Sequence, residues 1–182
     1  VDDVEDYDSL VKFVDTIAQT GCQRFSIHAR KAILKGLSPK ENRNIPPLKY
    51  DFVYQLKKDF PHLIIEINGG IKTITEAQSH LNHVDGVMIG RAAWDNPFIF
   101  YDVDGTIFKD ANAMTPLRVN IINTYAHYME NKLSEGEPMS LLLLPVFNLF
   151  NGLPGASHWR RYLSENGHRK NASPSVLIDA VN

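Results

Sequence analysis

Between residues 8 and 90 the sequence alternates helix-periodic and strand-like segments three times, and this alternation constrains the fold more than any other feature. Leu10, Val11, Val14, Ile17 and Ala18 share one helical face, with Asp8 placed to cap it and Gly21 beyond its end. A strand is expected at residues 24–29. A long polar loop then runs to Pro46-Pro47, followed by a helix at about residues 48–60 with Val53, Leu56 and Phe60 inward. A second strand, residues 63–68, ends in Gly69-Gly70. Thr73 and Glu76 form a capping-box pattern for a helix to about residue 82, and residues 86–89 make a third strand. Strands joined by crossover helices form a parallel sheet, and short apolar strands suit a sheet covered on both faces. Three such units do not complete an α/β domain. The sheet is expected to be truncated or completed by another chain, and a partial barrel leaves two sheet edges and one sheet face open, which favours association.

The character changes near residue 103. Asp104-Gly105 suggests a turn, and Thr115-Pro116 a cap followed by proline in the first helical position, opening a long helix to about residue 133. An apolar helix at 141–150 is interrupted at Pro145, a third covers 156–165, and Ser173-Pro174 starts a short last one. No strand signal follows residue 103, so residues 104–182 are expected to form a separate all-helical domain.

Composition excludes several classes. The formal net charge is −2, so any nucleic-acid binding must come from a local patch. Cys22 is the only cysteine, which rules out an internal disulfide and fits a cytoplasmic protein. It sits at a helix-to-strand turn and reads as structural. No apolar run approaches the roughly 18 residues of a membrane span. No His, Cys, Asp or Glu set has metal-ligand spacing, so no metal is expected.

Four groups of residues could carry chemistry. Asn68-Gly69-Gly70 and Gly90-Arg91 close consecutive strands. Glycines there let backbone N–H groups approach an anion, and Arg91 adds a charge-assisted contact. In (β/α)8 barrels the last two strand-to-helix loops commonly bind phosphate. His28, followed by Arg30 and Lys31, ends the first strand. The loop 36–43 is long, polar and partly basic, with Lys40 and Arg43. In the second half, Trp159 is flanked by His158, Arg160 and Arg161, which could contact phosphates and bases while Trp159 packs inward. Arg118, His168, Arg169 and Lys170 could extend that patch.

The stretches "HARKA…GLSPKENR…IPPL", "IIEINGGI" and "VDGVMIGRAAWDNP" resemble the tRNA-dihydrouridine synthase family, its A type, and "GASHWRRYLSEN" resembles that family's C-terminal domain. The resemblance covers nearly the whole chain. It implies the C-terminal part of a TIM (β/α)8 barrel at residues 1–103 and a helical tRNA-binding domain at 104–182. It implies FMN-dependent reduction of uridine to 5,6-dihydrouridine in the tRNA D-loop, with NADPH as reductant, by a monomeric cytoplasmic enzyme. Carried over, His28, Asn68, Gly69, Gly70, Gly90 and Arg91 contact FMN. Lys40, Arg43 and Arg160, with Arg30, Lys31 and Arg161 near them, contact tRNA. The family's proton-donating cysteine follows the fourth strand and a flavin-holding lysine lies on the fifth. Val1 falls after both, so the chain is expected to be a fragment without the catalytic cysteine, inactive alone. Two other readings stay open on the sequence: a non-catalytic RNA-binding module built on a barrel remnant, and an unrelated phosphate-binding barrel enzyme.

Overall fold

The computed structural model describes residues 6–169 and 171–181; Val1 and Lys170 lie outside them. The chain divides into two compact units, residues 1–90 and 91–182.

In the first unit, helix α1 (Tyr7–Ala18) begins two residues earlier than a cap at Asp8 would place it. Its cap is Asp6, whose carboxylate accepts the Ser9 N–H at 2.6 Å, and Asp8 lies inside the first turn. Strand β1 (Arg24–His28) follows. The expected loop contains a short helix α2 (Pro39–Asn42), closed by a reciprocal capping box between Ser38 and Glu41. Then come α3 (Tyr50–Asp59), β2 (Ile64–Asn68), α4 (Ile74–Leu81), capped by Thr73 and Glu76, and β3 (Gly86–Met88). The three strands are parallel in the order β1-β2-β3.

One face of the sheet is open, as expected of a partial barrel. Phe25, Ala29, Ile65 and Ile67 are buried with Val14, Val53, Leu56 and Ala77 of the helices. The alternate residues Arg24, Ser26, His28, Ile64 and Met88 are exposed, and Glu66 and Asn68 half-buried. The strands alternate polar and apolar, and among the described residues only the apolar face is packed. Gly86 leaves room for Glu66: a Cβ there would lie 2.9 Å from Glu66 Cγ.

Every regular element from Arg91 on is helical. Helix α5 (Arg91–Asp95), a 3-10 turn (Pro97–Phe100) and α6 (Val103–Thr106) precede the long helix α7 (Arg118–Ser134). Asp104-Gly105 thus lies inside a helical turn. Thr115-Pro116 precedes α7, whose capping residue Leu117 makes no side-chain cap bond. The apolar stretch breaks at Pro145 into α8 (Met139–Leu143) and a 3-10 turn (Leu144–Val146). Helices α9 (Ala156–Asn166) and α10 (Ser175–Asp179) follow. Ile122, Met129, Leu143, Trp159, Leu163 and Leu177 form the core of this unit.

Candidate functional site

The parallel register brings the expected strand-end residues of the first unit to one edge of the sheet. His28 is the register partner of Asn68, and Asn68 of Met88. Since residues two apart in a strand share a face, His28 and Asn68 stand on the open face with Ser26 and Glu66. The Ala29 N–H donates to the Asn68 carbonyl at 2.7 Å, extending the pairing one residue past β1. The chain then leaves the sheet, and Leu48 returns to pair with Arg30 as an antiparallel bridge; the Lys49 N–H donates to Ala29 O at 2.7 Å.

That return explains the glycines. Gly69 and Gly70 have φ of +125° and +75°, the left-handed half of conformational space that residues with a Cβ rarely adopt. A Cβ on Gly70 would stand 2.7 Å from Leu48 Cδ1 and 3.2 Å from the Tyr50 hydroxyl. On Gly69 it would meet Leu48 Cδ2 at 3.1 Å and His28 Cε1 at 3.5 Å. These two glycines are therefore required by backbone and packing whether or not an anion binds. Gly90 differs: its φ is not in the left-handed region and a Cβ would meet nothing within 4 Å. No internal reason makes it glycine.

Sequence reasoning missed Leu48 and Tyr50. Tyr50 donates its hydroxyl to the Gly69 carbonyl at 2.8 Å and lies edge-on to the His80 ring, centroids 4.5 Å apart. His80 is buried, and its Nδ1 is 2.7 Å from the Tyr54 hydroxyl. Burial, then the neighbouring Glu76 charge, raises the Tyr50 pKa above the usual phenol value, so Tyr50 remains a donor at ordinary pH. Burial also lowers the His80 pKa and keeps the imidazole neutral. The Pro46-Pro47 pair before Leu48 was the available signal, since the residue before a proline is pushed toward extended backbone.

The basic residues divide by what they touch. Arg30 donates Nη1 to the carbonyls of Asn44 and Pro46, while its buried Nε has no partner. The Asn42 amide bridges the same loop, donating to Ile33 O at 2.7 Å and accepting from the Ile33 N–H at 2.7 Å. Lys40 and Arg43 stand exposed on the frame thus made; Lys31 is half-buried. His28, Arg30, Lys31 and Lys49 line a cavity of about 350 Å³ beside β1, together with Phe13, Ile27 and Phe52.

In the second unit, Arg91 opens α5 and is exposed. Trp159 packs inward and donates Nε1–H to Val146 O at 3.0 Å, leaving Arg160 half-buried and Arg161 exposed on α9. Arg118 has partners of its own within this unit. Its guanidinium lies 3.5 Å from the Phe98 ring centroid and Nε donates to Leu149 O, a structural placement. His168 and Arg169 are exposed. No group of described residues could hold a metal ion, and no described helix is long and apolar enough to cross a membrane.

Residues 1–182 match the family described as dihydrouridine synthase (Dus). A protein of Synechocystis sp. named tRNA-dihydrouridine(20/20a) synthase is 50% identical over 181 residues, covering all of this chain and 54% of the relative. Proteins of the same name from Yersinia pestis and Escherichia coli K12 are 50% and 49% identical over 182 residues; all of this chain covers 52% of each. The chain spans about half the length of the curated relatives it matches. With its whole length matched, the chain belongs to the dihydrouridine synthase family.

Proposed function

We propose that this chain is the C-terminal part of a flavin-dependent tRNA-dihydrouridine synthase, comprising the last units of a (β/α)8 barrel and a helical RNA-binding domain. The whole protein reduces uridine in the tRNA D-loop to 5,6-dihydrouridine. The observation that carries this reading is the roughly half-identical match along all of this chain to proteins named for that reaction. The strand-end geometry supports it, because His28, Asn68 and the Gly69-Gly70 turn meet at the C-terminal edge of a parallel sheet, where barrel enzymes place their chemistry.

Bound FMN, reduced by NADPH, would supply the hydride for C6 of the base. The chain's own residues bind and orient. Backbone N–H groups at Gly69-Gly70 and Gly90, with the Arg91 guanidinium, take the phosphate group of FMN, and His28 and Asn68 on the open face contact the flavin. The target base must leave the tRNA stack to reach this face. Lys40 and Arg43 hold the tRNA backbone, with Lys31 near them, and Arg30 acts through its bonds to the loop carbonyls. Arg160 and Arg161 grip phosphates from the helical unit. The proton donor to C5 is a cysteine outside this chain.

The test is made on the full-length protein that carries this chain. Purified protein should hold FMN and, with NADPH, form dihydrouridine in unmodified tRNA; neither flavin nor product would sink the reading. Replacing Lys40, Arg43 and Arg160 together by Ala should flatten the salt dependence of tRNA binding by about two to three units, since each neutralised phosphate contributes roughly 0.7–0.9. FMN content should stay unchanged. Normal tRNA affinity in the triple variant would remove those three residues from the interface.

A further inference from the structure

We infer that Tyr50 is a positioning residue of the anion loop: by holding the Gly69 carbonyl, its hydroxyl fixes the Gly69–Gly70 peptide so that the Gly70 N–H faces away from α3 toward a bound phosphate. The inference rests on the phosphate reading of that loop and names a residue that aligns it.

A trans peptide carries its C=O and N–H on opposite sides of one plane. Tyr50 O–H donates to Gly69 O at 2.8 Å from the helix side. The N–H of the same peptide, on Gly70, must then point to the other side. No described residue accepts that N–H. The glycines at this turn have no side chain to restrain the plane, and with two consecutive positive φ values the peptide could otherwise rotate. Tyr50 is itself held. Its ring packs edge-on against His80, and His80 is fixed in turn by the Tyr54 hydroxyl at 2.7 Å. Leu48 packs beside that hydroxyl: a Cβ on Gly70 would stand 2.7 Å from Leu48 Cδ1 and 3.2 Å from the Tyr50 oxygen. Tyr50 touches the loop through its carbonyl and acts on an anion only through the amide it aims.

The experiment measures dissociation constants of FMN and riboflavin for the flavin-stripped full-length protein. The two ligands share the ring system and differ by the phosphate. Tyr50→Phe removes one oxygen and leaves the ring on His80. The variant should bind FMN roughly tenfold more weakly and riboflavin within about twofold of the parent, as for one lost hydrogen bond acting through phosphate alone. Tyr7→Phe, which removes a hydroxyl bonded to Asp59 at 2.6 Å on the α1–α3 seam, should leave the FMN-to-riboflavin ratio unchanged. If the parent itself does not prefer FMN to riboflavin, the phosphate reading fails and the inference with it. If the parent prefers FMN but Tyr50→Phe weakens both ligands equally or neither, the phosphate reading stands and the positioning role of Tyr50 is overturned. A ratio that falls as far in Tyr7→Phe would also overturn it, because the readout would then report general loosening.

Discussion

Alanine at Gly70 and at Gly90 should have opposite effects, and the pair separates glycines kept for folding from a glycine kept for a ligand. At Gly70, φ of +75° imposes about 1–2 kcal/mol on any residue with a Cβ. The new methyl would also stand 2.7 Å from Leu48 Cδ1, displacing a side chain that is packed between the turn and the sheet. An off-rotamer shift of that leucine costs about 0.5–1.5 kcal/mol. Gly70→Ala should therefore destabilise by about 2–3 kcal/mol. At Gly90 a Cβ meets nothing within 4 Å and the backbone is ordinary. Gly90→Ala should leave stability unchanged or raise it by about 0.4–1 kcal/mol, through the lower entropy of the unfolded chain. Urea unfolding of the two variants gives both numbers. FMN binding completes the test: Gly90→Ala, neutral for folding, should still weaken FMN, because the methyl occupies the space through which an anion approaches the backbone. A Gly90→Ala protein that loses more than about 1 kcal/mol of stability would refute the packing argument. One that keeps both full stability and full FMN affinity would refute the ligand argument.

Three further outcomes are expected. Asp85 accepts from Lys57 Nζ at 2.8 Å and from the Ile65 N–H at 2.8 Å. Burial raises its pKa, but these bonds outweigh burial and hold it below the usual carboxylate value. Such a group contributes stability above its unfolded pKa near 4 and loses it as pH falls through the folded value. Asp85→Asn should then destabilise by about 1 kcal/mol at pH 7, a figure discounted for partial exposure, and the difference should shrink at pH 3 in urea unfolding. Burial lowers the His80 pKa, so the unfolded state binds more protons and stability should decline as pH falls below about 6.5. His80→Asn should remove that part of the slope between pH 7.5 and 5. Finally, β1 and β3 end the three-stranded sheet on both sides, and its open face exposes Ile64 and Met88. The 182-residue chain expressed alone should associate in sedimentation velocity; a monodisperse monomer with a cooperative melt would refute this.

The sequence was most legible where one local rule fixed the answer. The Thr73/Glu76 capping box, the alternation of helix and strand, and the inward Trp159 were readable because spacing alone specifies them. The Ser38/Glu41 box obeyed the same rule, yet lay hidden in a segment read as loop because it caps one turn with no apolar face. The partners of Arg118 were not legible, because an arginine stacked on Phe98 and bonded to a backbone carbonyl looks, in sequence, like any surface cation. Leu48 and Tyr50 were illegible for a different reason. Their partners are the glycines some twenty positions on, and only the return of the chain along β1 brings them together.

The open sheet face also carries a cation at the start of β1. Arg24 shares that face with His28, and a basic residue there would seem available to an anion. It instead lies 3.6 Å from Glu66, at the opposite end of β1. Four residue steps along the strand separate its Cα from that of His28, about 13 Å at 3.3 Å per residue. That exceeds the screening length of about 8 Å at physiological ionic strength, and the pairing with Glu66 offsets its charge further. Within the first unit, the basic residues beyond β1 on the cavity beside it are Arg30, Lys31 and Lys49. Arg24→Gln should therefore lower stability slightly in urea unfolding and leave FMN affinity of the full-length protein unchanged; a weakened FMN affinity would refute this separation.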